Sequence, residues 1–308
     1  MRPFDPLFTN PHLQTLAGHY WPRPFDPRRF PVERVLLRTE PGVQVLDEKQ
    51  QGGGHGDVVM VHGLEASGEA GYMRSLSHAS VLAGYTAHRF HMRTCGGTEN
   101  LCSTLYHAGL TSDLMALLRT LERPAFLVGF SLGGNVVLKL AGELGDEGSR
   151  FIRGVCAVST PIDLGACARR IGKRDNRLYE RRFVRRMRAR LLATGRYNAA
   201  DFDGLSTVYD LDDRITAPSF GFRGAEHYYA TQSSQHFLER IRVPALLIQA
   251  KDDTFVPFSC FDHPALRENP CLWLLATEHG GHLGFIARSR PRLWLDETIM
   301  EWLQQNQA

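Results

Sequence analysis

Short apolar runs alternate with longer amphipathic segments from about residue 32 to the end of the chain. Runs rich in β-branched and other apolar residues predict strands at 58–61, 86–92, 124–130, 154–159, 244–250 and 271–276. Apolar residues recur at helical spacing in 135–144 and in 293–303. This alternation is typical of a mostly parallel central sheet with helices on both faces, so we predict an α/β fold.

Residues 161–240 break the alternation, because they contain few β-branched runs. Within them, four apolar residues follow one another at four-residue intervals, Tyr179, Phe183, Met187 and Leu191. Val184 and Leu192 lie beside them, and arginines fill the other positions. The spacing predicts a helix with one packed face. No repeat, low-complexity tract or linker divides the chain. We therefore predict one domain, residues 1–308, with 161–240 as a helical insertion.

The net charge is small but unevenly distributed. The 308 residues carry 36 Lys and Arg against 33 Asp and Glu, a formal charge of +3, which gives no reason to expect a nucleic-acid partner. Residues 165–196 alone hold twelve basic and two acidic residues, so this window is +10 and the rest of the chain is −7. The positive charge is thus concentrated in the predicted insertion.

Neither a membrane span nor a secretory signal is apparent in the sequence. No apolar run approaches the roughly 18 residues that a bilayer requires, and the first residues are rich in proline and polar side chains. The six cysteines form no CxxC pair, which favours free thiols. We expect a cytoplasmic protein.

Residues 129–133 read G-F-S-L-G, a G-x-S-x-G motif centred on Ser131. It follows an apolar strand and precedes an amphipathic helix, the context of a nucleophile elbow, in which a tight strand-to-helix turn exposes the serine hydroxyl. The alternative is a turn whose serine only caps the helix. The context favours Ser131 as a nucleophile.

A serine nucleophile needs a base, and the base needs a carboxylate to orient it. In this architecture the acid and the histidine follow the serine in that order, each after a strand. Asp252 and Asp253 follow the run 244–250, and His279 and His282 follow the run 271–276. His282 is favoured because two glycines before it let the chain turn its ring towards the serine.

Attack on a carbonyl creates an oxyanion that needs two preorganised donors. The backbone N–H of Leu132, directly after the nucleophile, is one candidate, and that of Leu64, in the H-G-L-E loop after the predicted strand 58–61, is the other. His62 in that loop is predicted to be structural. The spacing of the histidines matches no metal-ligand motif, so no metal is expected.

Several motifs together resemble those of the YheT-like α/β hydrolases, an esterase and lipase branch. They are N-P-H-L-Q-T at 10–15, H-G-L-E at 62–65, R-T-C-G-G at 93–97, Y-H-A-G at 106–109, the residues 129–135, D-D-T-F-V-P at 252–257 and H-G-G-H-L-G-F at 279–285. The resemblance covers nearly the whole chain. It implies an α/β-hydrolase fold with a catalytic triad of Ser131, Asp253 and His282, Asp253 being preferred because it begins a D-x-x-x-P run. It does not extend to the N-terminal membrane anchor of the animal members.

The resemblance implies hydrolysis of small-molecule or lipid acyl esters through an acyl-enzyme, without a cofactor. Two alternatives stay open: acyl transfer by the same triad, and a non-catalytic binding protein of the same fold. In this fold the segment that corresponds to 161–240, after the predicted strand 154–159, commonly forms a lid. Its arginines either pair with carboxylates of the acidic body or contact an anionic membrane surface.

Overall fold

The computed structural model describes residues 2–307 and contains one eight-stranded sheet. The strands are β1 (Val32–Glu40), β2 (Val43–Gln50), β3 (Asp57–Val61), β4 (Thr86–Phe90), β5 (Ala125–Phe130), β6 (Ile152–Val158), β7 (Ala245–Ala250) and β8 (Leu272–Thr277). Their spatial order is β1-β2-β4-β3-β5-β6-β7-β8. Pairing is antiparallel for β1 with β2 and for β2 with β4, and parallel for every other pair.

Helices cover both faces of the sheet. They are α1 (Pro11–Tyr20), α2 (Gly71–Leu82), α3 (Ser112–Leu118), α4 (Leu132–Leu144), α5 (Leu164–Ile171), α6 (Arg177–Ala193), α7 (Val208–Leu211), α8 (Ala217–Ser219), α9 (Ala225–Gln232), α10 (Ala265–Glu268) and α11 (Trp294–Gln305). The apolar side chains of α2 and α11 pack on one face, and those of α3 and α4 pack on the other. The predicted fold class is confirmed.

The central strands are buried on both faces because alternate residues enter different cores. In β3, Val59 and Val61 belong to the core beneath α4, whereas Val58 and Met60 belong to the core beneath α2 and α11. Such strands read as continuous apolar runs. The sheet therefore sits in the middle of the molecule, with the carboxyl ends of its parallel strands at one edge.

Strand β8 differs from its prediction as a buried strand. It is the last strand of the sheet and pairs only with β7, so part of its surface is open; Trp273 is 49% exposed. The β1–β2 hairpin also lies outside the six predicted strands. Its outer strand β1 is largely exposed and carries charged residues, so an apolar run does not mark it.

Helices and turns without a sheet strand connect β6 to β7, within the predicted insertion. Val184, Met187 and Leu191 of α6 join a separate apolar cluster with Phe202 and Leu211. The prediction that Leu192 belongs to the packed face of α6 is wrong, since its side chain is 40% exposed and does not join this cluster. The six cysteines are free thiols. Within residues 2–307, no helix combines the length and apolar character needed to cross a bilayer.

Candidate active site

Ser131 occupies the sharp turn between β5 and α4. Its backbone has φ 52° and ψ −121°, a left-handed conformation that is strained for a residue with a Cβ atom. The flanking glycines permit the turn: a Cβ on Gly129 would lie 2.4 Å from the carbonyl oxygen of Gly133, and one on Gly133 would lie 2.2 Å from that of Val61. The strand and helix thus hold the serine side chain at the sheet edge.

The His282 ring lies between Ser131 and Asp253. Its Nε2 atom is 3.0 Å from Ser131 Oγ, and its Nδ1 atom is 3.0 Å from Asp253 Oδ2 and 3.2 Å from Oδ1. Three residues 122 and 29 positions apart in sequence therefore form one continuous hydrogen-bonded chain, because the loops after β5, β7 and β8 leave the same sheet edge.

Asp253 is held by the loop that follows β7. Its Oδ1 atom accepts hydrogen bonds from the backbone N–H groups of Phe255, at 2.8 Å, and Val256, at 3.1 Å. Its Oδ2 atom accepts one from Gln249 Nε2 at 3.2 Å. The side chain is 0% exposed. A buried carboxylate with this many donors has a fixed orientation, which in turn fixes the imidazole.

Asp252 and His279, the other two candidates, pair with each other instead. His279 Nδ1 lies 3.1 Å from Asp252 Oδ2, and the backbone N–H of Gly281 donates to Asp252 Oδ1 at 2.8 Å. This second pair joins the loops after β7 and β8. The structure thus brings Asp253 and His282 to Ser131, and it places Asp252 and His279 where they organise the loops.

Leu64 and Leu132 line the same cavity as Ser131. A Cβ on Gly63 would lie 3.1 Å from the Cβ of Ser131, so the H-G-L-E loop passes close to the serine. Among residues 2–307, neither the Leu64 nor the Leu132 backbone N–H donates a hydrogen bond. The loop itself is held by Tyr72, whose Oη accepts from the Gly63 N–H at 3.1 Å. Both predicted donors are therefore adjacent to the serine and free.

His62 is structural, as predicted. It is fully buried, its Nε2 accepts from the Met92 N–H at 3.1 Å, and its Nδ1 lies 2.8 Å from the Gly63 carbonyl oxygen. Burial lowers the pKa of His62 to about 3, so the ring is neutral with its proton on Nδ1. In the part of the chain that the structure describes, no three His, Cys, Asp or Glu residues are grouped to hold a metal ion.

The cavity beside Ser131 contains about 740 Å³ of empty space, its mouth included. Apolar side chains form most of its wall, among them Leu164, Ile171, Phe183, Met187, Val208 and Phe255. Asp212 is a carboxylate in the wall, and it accepts a hydrogen bond from Tyr229 Oη at 2.7 Å. Burial raises the pKa of Asp212 to about 6.

Two α1 residues that support the histidine loop were not predicted as site residues. The His282 N–H donates to Thr15 Oγ1 at 2.9 Å. Gln14 Nε2 donates to the carbonyl oxygens of Gly284 and, at 2.8 Å, Ile286. The N-P-H-L-Q-T motif was a signal for this segment, but its spacing alone assigns no contact to either side chain.

The insertion arginines make few ion pairs with the acidic body. Arg190 pairs with Glu65 of the H-G-L-E loop at 2.8 Å. Two other pairs stay inside the insertion, namely Arg169 with Glu226 and Arg170 with Asp175. Within residues 2–307, Arg190 is therefore the one insertion arginine that pairs with a carboxylate of the body.

The fold and the elbow define the class of protein. The alpha/beta hydrolase family model matches residues 58–297, so the chain belongs to that family. A protein of Escherichia coli K12 named "Putative esterase YheT" is 34% identical over 96% of this chain and 91% of its own length. A monoacylglycerol lipase of Saccharomyces cerevisiae is 29% identical over 80% of this chain and 58% of its own length. The predicted resemblance is confirmed, and the chain is of the esterase and lipase type.

Solved structures agree on the fold. The esterase Pf2001 of Pyrococcus furiosus superposes with a TM-score of 0.62 at 19% identity, covering 92% of this chain and 98% of that one. At this identity the likeness concerns the architecture alone.

Proposed function

We propose that this protein hydrolyses carboxylic esters with Ser131 as nucleophile, His282 as general base and acid, and Asp253 as the orienting carboxylate. The observation that carries the proposal is the 3.0 Å contact between Ser131 Oγ and His282 Nε2, beside an apolar cavity. A serine hydroxyl is weakly nucleophilic at neutral pH, and a base within hydrogen-bond reach supplies the activation.

In the first half of the reaction, Ser131 Oγ attacks the ester carbonyl carbon while its proton moves to His282 Nε2. The carboxylate of Asp253 stabilises the imidazolium that forms. The backbone N–H groups of Leu64 and Leu132 donate to the oxyanion, a contribution worth about 10²–10³ in rate for each donor. His282 then gives its proton to the leaving alcohol oxygen, and the acyl group stays on Ser131.

In the second half, water replaces the alcohol. It loses a proton to His282 as its oxygen attacks the acyl carbon, and the same two amides hold the second oxyanion. The carbon–oxygen bond to Ser131 breaks, the serine oxygen regains the proton from His282, and the carboxylic acid leaves. The chain's own side chains and amides suffice for every step.

The cavity favours esters with an apolar acyl group. Leu164, Ile171 and Phe183 of the insertion form part of its wall, so we propose that residues 161–240 act as a lid over Ser131. Apolar walls bind acyl chains by removing their surface from water. Lipid esters and small apolar esters are the proposed substrates.

Labelling with a fluorophosphonate probe tests the nucleophile. The native chain is expected to label, and Ser131→Ala is expected to lose the label together with hydrolysis of p-nitrophenyl esters. Ser149→Ala removes an exposed hydroxyl in the turn after α4 and is the matched control. Absence of labelling in the native chain, or equal labelling of Ser131→Ala, would contradict an acyl-enzyme mechanism and favour a non-catalytic binding protein.

A further inference from the structure

Helix α1 exposes an apolar stripe on its outer side. Leu13, Leu16 and Tyr20 are 49%, 40% and 69% exposed, and their spacing of three and four residues places them on one helix face. The opposite face, with Gln14 and Thr15, is buried against the loop that carries His282. The stripe therefore points away from the molecule.

Two side chains of helix α6 contact side chains of α1. The rings of His12 and Tyr179 stack at 5.7 Å, and Arg182 Nη2 lies 3.2 Å from His19 Nε2. Leu178, next to the stacked Tyr179, is 78% exposed. We define the α1–α6 face by the exposed residues of these two contacting helices, namely Leu13, Leu16, Tyr20, Arg177, Leu178, Arg181 and Arg185.

The basic part of the α1–α6 face lacks internal charge partners. Among residues 2–307, no carboxylate lies within 4.0 Å of the guanidinium groups of the exposed Arg177, Arg181 and Arg185. Asp175, the acidic residue just before α6, is already paired with Arg170 through contacts of 2.9 and 2.7 Å. The face thus combines exposed aliphatic and aromatic side chains with cationic groups that have no neutralising neighbour.

The two helices that carry the α1–α6 face also contact His282, the proposed base, or its neighbour Phe255. Tyr179 of α6 contacts the Phe255 ring at 4.8 Å, and Phe255 contacts the His282 ring at 4.5 Å. On the other side, Thr15 of α1 accepts from the His282 N–H. A membrane bound to this face would therefore contact part of the proposed lid and lie close to the cavity.

We propose that the α1–α6 face docks on an anionic phospholipid bilayer. Leucine and tyrosine side chains enter the interfacial region of a membrane while cationic side chains attract its anionic headgroups. The rest of the chain is acidic, so an anionic surface attracts this face and repels the others, which orients the protein. A nucleic acid would gain nothing from three exposed leucines, and base-stacking side chains are few here.

Docking does not depend on the esterase chemistry, so binding is measured with Ser131→Ala, which leaves the lipid intact. Sedimentation with vesicles of phosphatidylcholine alone or mixed with phosphatidylglycerol gives the affinity at low and high salt. We expect binding to the mixed vesicles, little binding to the neutral ones, and weakening by salt.

Two sets of variants locate the contact. Replacing Arg177, Arg181 and Arg185 by Gln is expected to weaken binding at least tenfold, since each cation near an anionic surface contributes about fivefold. The matched control replaces three exposed arginines elsewhere that also lack ion pairs, Arg119, Arg223 and Arg267, and is expected to keep most of the affinity. Leu16→Gln with Leu178→Gln is expected to weaken binding severalfold while preserving the anionic preference.

Three outcomes would overturn the proposal. The first is equal binding to neutral and anionic vesicles or to neither, and the second is equal loss in the control and the α6 variant. The third is binding to a DNA duplex or to polyglutamate as tight as to vesicles, with no effect of the leucine substitutions, which would indicate a polyanion site. Hydrolysis of a soluble short-chain ester by the same variants with Ser131 restored shows that each is folded, and separates failure of docking from failure of catalysis.

Discussion

Arg190 of α6 holds Glu65, the residue that follows the proposed oxyanion donor Leu64. The Arg190 Nε atom donates to Glu65 Oε1 at 2.9 Å and to Oε2 at 3.1 Å. Tyr106 Oη donates to the same carboxylate at 3.0 Å, and the Tyr106 ring lies 4.7 Å from the guanidinium carbon. Glu65 itself has φ 52°. One buried ion pair thus connects the insertion to a strained loop position beside the nucleophile.

Replacing Arg190 by Met is expected to destabilise the fold and to lower kcat. The substitution leaves the Glu65 carboxylate buried without its partner, which costs about 3–5 kcal/mol in comparable cases. Because the loop then shifts the Leu64 amide, kcat for a short-chain ester should fall more than KM rises. Urea unfolding and steady-state kinetics provide the two measurements.

The matched control for this pair is Arg185→Met, which removes an exposed guanidinium from the same helix. It should leave unfolding and kcat close to native. Combining Glu65→Gln with Arg190→Met removes the buried charge and should recover part of the stability. If Arg190→Met and Arg185→Met have the same free energy of unfolding and the same kcat, the Arg190–Glu65 ion pair does not position the loop.

Asp253→Asn is expected to lower kcat by about 10⁴, because an amide no longer fixes the imidazole tautomer that accepts the serine proton. Asp252→Asn is the matched control one residue away. Its carboxylate serves His279 and the Gly281 N–H, so its loss should cost about tenfold or less. Steady-state kinetics on one ester compares the two. A larger loss for Asp252→Asn would reverse the assignment of the acid.

The strand pattern predicts the positions of Ser131, Asp253 and His282 because each lies in a loop after an apolar run. Parallel strands bring their carboxyl ends to one edge, so side chains far apart in sequence meet there. The spacing does not separate Asp252 from Asp253, however. Both have a histidine partner, and only the tertiary structure shows that the partner of Asp253, His282, contacts Ser131 while Asp252 pairs with His279.

The strand pattern does not predict how side chains of the insertion and of α1 contact the body. Arg190 is one of twelve basic residues in its window, and helical spacing alone does not reveal that its side chain turns inward to Glu65. Thr15 meets His282 across 267 positions, through a helix whose apolar residues point outward. Long-range polar contacts of this kind follow from tertiary packing, not from periodicity.

Asp212 is expected to make the stability depend on pH. Burial raises its pKa from 3.8 to about 6, so between these values the folded chain keeps a proton that the unfolded chain has lost. Stability therefore falls as pH rises from about 4 to about 6 and stays lower above that window. Asp212→Asn, which still accepts from Tyr229, should gain about 1–3 kcal/mol over native near pH 8 and almost nothing near pH 4.

Urea unfolding at the two pH values measures this difference for Asp212→Asn. Asp203→Asn, an exposed carboxylate of the same insertion, is the control and should change stability by less than about 0.5 kcal/mol at either pH. If Asp212→Asn raises the free energy of unfolding equally at both pH values, the native Asp212 destabilises the fold through its packing and not through burial of its charge.

Thr15 is expected to position the proposed base. Its Oγ1 accepts from the His282 N–H at 2.9 Å and donates to the Pro11 carbonyl oxygen at 2.7 Å. Thr15→Val keeps the shape but leaves the His282 N–H without a partner, which costs about 1–3 kcal/mol and loosens the histidine loop. We expect kcat to fall about tenfold with little change in KM, since the substrate cavity is untouched.

Thr15→Ser retains the oxygen and should restore kcat, whereas Thr298→Val, at a buried threonine of α11, should not lower it. Partial unfolding would also lower kcat without changing KM, so kcat is calculated per active site titrated with the fluorophosphonate. A loss of kcat that remains after this correction shows that Thr15 positions His282. If Thr15→Ser is as slow as Thr15→Val, the hydroxyl does not act through His282, and the packing of α1 is the cause.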